Sequence, residues 1–217
     1  MTDHVLVTGM VILSAPVNDY DRRIILLSKE RGKITVFAKG ARRQGSRMMA
    51  ATNPFCFGEF KLYEGKTAYN LIEANISNYF EELRSDFAGA YLGMYFLEFA
   101  DYYARENNDE VELLKLLYQS VRAVIKDNID NALVKAVFEM KIMVVNGEFP
   151  GIPTNMTLLD ATKYTIDFIV KTPVEKLYTF KVTEEVLGEL TAVADMYRNK
   201  YIDKKFKSLD LIGDFGI

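Results

Sequence analysis

DRRIILLSKERGKITVFAKGARR, residues 21–43, holds two strand signals, a tight turn and a run of cations. RIILLS (23–28) is rich in β-branched residues and leucine. Arg31-Gly32-Lys33 is a hairpin signal. In KITVFAK (33–39), Ile34, Val36 and Ala38 alternate with polar neighbours. A hairpin with one apolar face needs further strands, and they are present on both sides. VLVTGMVIL (5–13) precedes it, separated by the turn-prone segment Pro16 to Asp21. PFCFGEFKLYE (54–64) and TAYNLIEANI (67–76) follow it, joined at Gly65-Lys66. Five short strands within some 76 residues suit a small closed barrel, because an open sheet of that size leaves exposed edges. SRMMAA (46–51), between the third and fourth strands, reads as a short helix.

Beyond about residue 78 the period changes from two to three or four. Leu83, Phe87, Tyr91, Met94 and Leu97 predict a helix over roughly 80–104. Asp109 and Glu112 form a capping-box pattern ahead of Leu114, Leu117 and Val121. NALVKAVFEMKIMVV (131–145) is a further helix, closed by Asn146-Gly147. LLDATKYTIDFIV (158–170) reads as helical. Thr172-Pro173-Val174-Glu175 starts a short helix, and Thr183 opens the last long one. The expectation is an α+β protein: an N-terminal five-stranded OB-type β-barrel at 1–78 followed by an α-helical bundle at 79–217.

Composition narrows the functional classes. The chain has 217 residues, 49% hydrophobic and 26% charged, as in a soluble globular protein. No run approaches the ~18–20 apolar residues that span a membrane. Asp3 sits where a leader peptide would carry Lys or Arg, so the N-terminal apolar run reads as a strand. Cys56 is the only cysteine, which rules out an internal disulfide and fits a reducing cytoplasm.

Charge is distributed unevenly. Residues 21–50 hold nine Lys or Arg against two acids, a local +7 on a chain of net −3. Such an island is either a solvated loop that aids solubility or a footprint for a polyanion. The clustering, and its position at the exit of a barrel strand, favour the polyanion. Arg22 and Arg23 open the second strand and Lys33 the third. They are expected to converge with Lys39, Arg42, Arg43 and Arg47 on one barrel face, where Phe37 is a candidate for stacking on bases. Gly40 and Gly45 are read as making the loop flexible.

Catalytic chemistry is poorly supplied. One histidine, His4, and one cysteine make neither a His/Cys zinc site nor a credible nucleophilic triad. Gly65-Lys66-Thr67 ends like a P-loop, but the glycine required five positions earlier is Phe60. A strand-like run follows where a helix is needed. The acids form no paired motif of the two-metal type. No catalytic residue, metal or cofactor is expected.

A resemblance adds to this reading. Asp21-Arg22, Leu26-Leu27-Ser28, Gly32-Lys33, the run Ala38 to Arg43, Ser46-Arg47, Pro54 and Leu83-Arg84-Ser85-Asp86 occur in series. FKSLDLI (206–212) stands near the end. This series resembles the RecO family of bacterial recombination mediators over most of the chain. The family's four-cysteine zinc module has no counterpart between NGEFPGIPTN and MTLLDATKYTIDFIV, so it looks deleted and zinc is not expected. The resemblance implies binding of single- and double-stranded DNA and annealing of complementary strands. It also implies help in loading RecA onto strands coated by single-strand-binding protein, with RecR and that protein's acidic C-terminal tail as partners. It implies phosphate contact for Arg22, Lys33, Lys39, Arg42, Arg43 and Arg47, and a cytoplasmic, nucleoid-associated location. Lys135 is a candidate for the tail's carboxylates. The rival readings are an RNA-binding barrel protein and an interaction adaptor that does not bind DNA.

Overall fold

The structure is a computed structural model that describes residues 4–126 and 128–213. Asp3, on which the reading of the N-terminus turned, lies outside them. Five strands, β1 (His4–Val17), β2 (Asp21–Ser28), β3 (Gly32–Ala38), β4 (Phe57–Glu64) and β5 (Tyr69–Asn78), close a barrel in the order β1-β2-β3-β5-β4. All pairings are antiparallel except β3–β5, which pairs Val36 with Tyr69 and Phe37 with Asn70 in parallel. This is an OB-type barrel. The alternation seen in the sequence sets its inside: Ile24, Leu26, Ile34, Val36, Phe60, Leu62 and Leu71 fill the core. Gly65 to Ala68 form the β4–β5 turn, with Gly65 N donating to Ala68 O at 3.0 Å, so Gly-Lys-Thr belongs to a hairpin.

β1 is longer than its apolar run because it serves two neighbours. Its first half, from His4 to Met10, pairs with β4, and Gly9 and Met10 pair with β2 as well. From Val11 onward it pairs with β2 alone, after a register shift between Val11 and Leu13. Pro16, which donates no N–H, therefore falls where one edge of β1 is unpaired. Closure also requires the backbones to approach closely where Gly9 pairs with Gly58. A Cβ at Gly9 would lie 2.4 Å from Leu27 O, and one at Gly58 2.2 Å from Asn75 O.

A four-residue helix, α1 (Met48–Ala51), lies between β3 and β4. After a 3-10 turn at Glu81–Arg84 come α2 (Phe87–Tyr103), α3 (Val111–Val124), α4 (Asn131–Val145), α5 (Asp160–Lys171), α6 (Glu184–Tyr201) and α7 (Lys207–Ile212). α2 starts later than its periodicity suggests because Asp86 caps it, accepting from Gly89 N at 2.9 Å. Asp130 and Thr183 cap α4 and α6 through their side chains. Pro173 precedes a single 3-10 turn, Val174–Lys176.

The chain divides into two compact units. One comprises Met1–Glu81 with Ala100–Leu114; the other comprises Glu82–Phe99 with Lys115–Ile217. In the first, Gly32 bridges to Glu106 and Lys33 N donates to Arg105 O at 3.0 Å. The second is built on aromatic packing. Phe96 stacks on Phe138 at 4.1 Å between centroids, and Phe206 meets Tyr95 and Phe99 at 5.3 and 4.6 Å. Glu98 receives Lys207 N and Ser208 Oγ, both at 2.8 Å, and so caps α7. Among the described residues no helix is long and apolar enough to cross a membrane.

Candidate nucleic-acid interface

The basic loop is tied down rather than floppy. Ala41 is fully buried in the barrel core. Asp21 Oδ1 accepts from Gly40 N at 2.7 Å. Arg42 N donates to Tyr20 O at 2.8 Å, and Arg42 Nη1 to Asn18 O at 3.3 Å. Gly40 (φ +66°) and Gly45 (φ +78°) are positive-φ turn positions. The loop therefore folds back onto the β1–β2 turn and fixes where its cations stand.

The seven expected cations fall into three groups. Lys39, Arg42, Arg43 and Arg47 are exposed on the loop, and Arg23 is exposed on the outer side of β2, paired in register with Phe37. None of these five makes an ion pair among the described residues. Arg43 lies over the Tyr20 ring, its guanidinium carbon 5.3 Å from the centroid. Asp21 is engaged by Gly40, and Asp19 makes no ion pair with any of the five. Net positive charge is thus left facing solvent.

Arg22 is placed differently. It shares parity with Ile24 and Leu26, so it points to the interior at the barrel end and is only half exposed. Its Nη1 lies 2.9 Å from Met49 O, 3.0 Å from Thr52 Oγ1 and 2.8 Å from Asn53 Oδ1. This is an anchor for the α1 segment, with Nη1 already engaged by acceptors of the protein itself. Lys33 stands near the opposite end of the outer face, in register with Leu27. Its Nζ is 2.8 Å from Asp101 O and 3.2 Å from Asp101 Oδ1. Position and partner both separate it from the loop.

Lys135 is withdrawn from the surface. Its side chain is 7% exposed, and its Nζ lies 3.7 Å from Glu139 Oε1 and 3.6 Å from Asp195 Oδ1. An incoming tail would have to break a buried network to meet it. Cys56 is buried, with Sγ 3.1 Å from Ala50 O, as a small core residue. Among the described residues no group of three or more His, Cys, Asp or Glu side chains could hold a metal.

Replacing Arg22 by alanine is expected to lower stability by about 2 kcal/mol, the scale of hydrogen bonds to a charged donor that leave polar partners unsatisfied. Arg22→Lys is expected to recover part of the loss, because all three contacts converge on one nitrogen and an ammonium offers three N–H donors there. The urea midpoint reads the loss. The salt slope of DNA binding should stay at the wild-type value. A shallower slope with unchanged stability would move Arg22 into the phosphate-contacting set.

An OB-type barrel with an exposed, acid-free cationic loop beside an aromatic-bearing turn defines the class, an OB-fold protein. Comparison with known sequences agrees. Residues 1–80 match the family described as "Recombination protein O N terminal", and residues 84–152 match "Recombination protein O C terminal". The chain belongs to the RecO family. It is 25% identical to a protein named DNA repair protein RecO from Acetivibrio thermocellus, over 94% of each chain. It is 25% identical to its counterpart in Clostridium novyi, over 94% of this chain and 91% of that one. With the Clostridium acetobutylicum protein the identity is 26%, over 94% and 95%.

Proposed function

We propose that this protein is a non-catalytic, DNA-binding recombination mediator that anneals complementary strands and helps load RecA onto DNA coated by single-strand-binding protein. The observation that carries the reading is the exposed set Arg23, Lys39, Arg42, Arg43 and Arg47 on an OB-type barrel, none of them held in an ion pair among the described residues. Five cations that meet phosphates release condensed counterions, and that release supplies sequence-independent affinity. Contacts confined to the backbone leave base edges free to pair, which annealing requires. Residues 1–78 are assigned to DNA and residues 79–217 to protein partners, namely RecR and the tail of single-strand-binding protein. The location that follows is cytoplasmic, at the nucleoid.

The test is annealing of two complementary dye-labelled DNA strands, with unlabelled RNA of the same sequence as competitor. The reading predicts faster annealing with protein and weak competition by RNA. RNA that competes as well as DNA would favour an RNA-binding barrel. No acceleration and no affinity for either polymer would favour an adaptor that acts through the acidic helical part.

A further inference from the structure

We propose that Tyr20 is a base-stacking residue that gives the cationic loop its preference for unpaired strands. The inference rests on the DNA-binding reading above and deepens it. An exposed aromatic alone means little. Tyr20 is set apart by what holds it. It sits in the β1–β2 turn after Asn18, whose φ of +50° turns the chain. Its carbonyl receives Arg42 N at 2.8 Å, and its ring carries the Arg43 guanidinium at 5.3 Å. The residue is nevertheless 54% exposed. The turn is therefore held against the loop and the ring lies beneath Arg43, while much of its surface is open to solvent.

A strand whose phosphates follow Arg42 and Arg43 brings its bases alongside that ring. Every base has a π-face, so stacking there adds affinity without reading sequence. Inside a duplex both faces of a base are covered by its neighbours, so only an unpaired strand can use Tyr20. Phe37, the aromatic suggested by the sequence, is half-buried on the outer side of β3 and offers less ring. One stacking position among five cations leaves the remaining bases available to a complementary strand.

The chain contains no tryptophan, so Tyr20→Trp introduces a single indole reporter. Its emission should be quenched on adding an unlabelled dT oligonucleotide at low salt and change little with duplex of equal length. In anisotropy assays Tyr20→Ala should weaken single-strand binding about tenfold, Tyr20→Phe should hold it, and duplex binding should stay within about twofold. The salt slope should not move, because no phosphate contact is lost. Binding by the Tyr20→Trp protein without quenching, together with unchanged single-strand affinity in Tyr20→Ala, would overturn the stacking role and leave DNA binding standing. Failure of the wild-type protein to bind either DNA at low salt would overturn both.

Discussion

Replacing Arg23, Lys39, Arg42, Arg43 and Arg47 together by alanine is expected to lower single-strand affinity by at least about two orders of magnitude at low salt. The size follows from the mechanism. Counterion release supplies essentially all non-specific binding, and these five are the expected cations that the fold leaves exposed and unpaired. Stability should change little, since exposed substitutions away from special features usually fall within about 0.5 kcal/mol each. The Arg43–Tyr20 contact adds a loss on the order of 0.5–1 kcal/mol. A companion variant, Lys33→Ala, should keep its DNA affinity, because Lys33 is already engaged by Asp101. Anisotropy and thermal denaturation of both variants check the contrast. A loss for Lys33→Ala of about one fifth of the quintuple variant's, on a logarithmic scale, would show that overall charge, not the loop, governs binding.

The largest stability effect is expected at Glu139. α4 is apolar on nearly every face, yet carries Lys135, Glu139 and Lys141, all buried. Glu139 is fully buried, and its Oε1 is 2.6 Å from Tyr95 Oη, 2.8 Å from Arg198 Nη1 and 3.7 Å from Lys135 Nζ. Burial first, and then the Glu139 carboxylate, push the Tyr95 phenol well above its ordinary value, so it stays a hydrogen-bond donor. Glu139→Ala leaves Arg198 and Lys135 sharing Asp195. Losing one partner from a buried charge cluster costs about 3–5 kcal/mol. Guanidinium denaturation should show that shift, with a smaller one for Tyr95→Phe, which deletes one hydrogen bond and leaves the charges paired. A loss below about 1 kcal/mol for Glu139→Ala would show that the cluster relaxes onto water.

The barrel was legible because its strands alternate with a period of two and its turns carry Gly and Asn. Burial of Val36 and Phe60, and exposure of Lys39 and Arg43, follow from that pattern. The roles of Arg22 and Lys33 did not follow. Thr52 and Asn53 lie thirty and thirty-one residues from Arg22, and Asp101 lies sixty-eight from Lys33, so no local window contains the partners. Lys135, a candidate for an acidic tail, is instead buried, and the sequence carries a signal of that. A lysine four residues before a glutamate, in a helix apolar all round, marks a buried pair. Tyr20 was missed because a lone tyrosine among Pro, Asn and Asp reads only as a turn. Its meaning comes from a loop more than twenty residues later that folds back onto it.

The central claim is that the loop meets phosphates. The most direct measurement is anisotropy of a labelled single-stranded oligonucleotide over a salt series, wild type against Arg42→Ala/Arg43→Ala. Five phosphate contacts predict a log–log slope of about −3.5 for the wild type, and three predict about −2 for the variant. A steep slope that becomes shallower by that amount places the phosphates on Arg42 and Arg43. A flat wild-type slope, or the same slope in both proteins, would contradict the account.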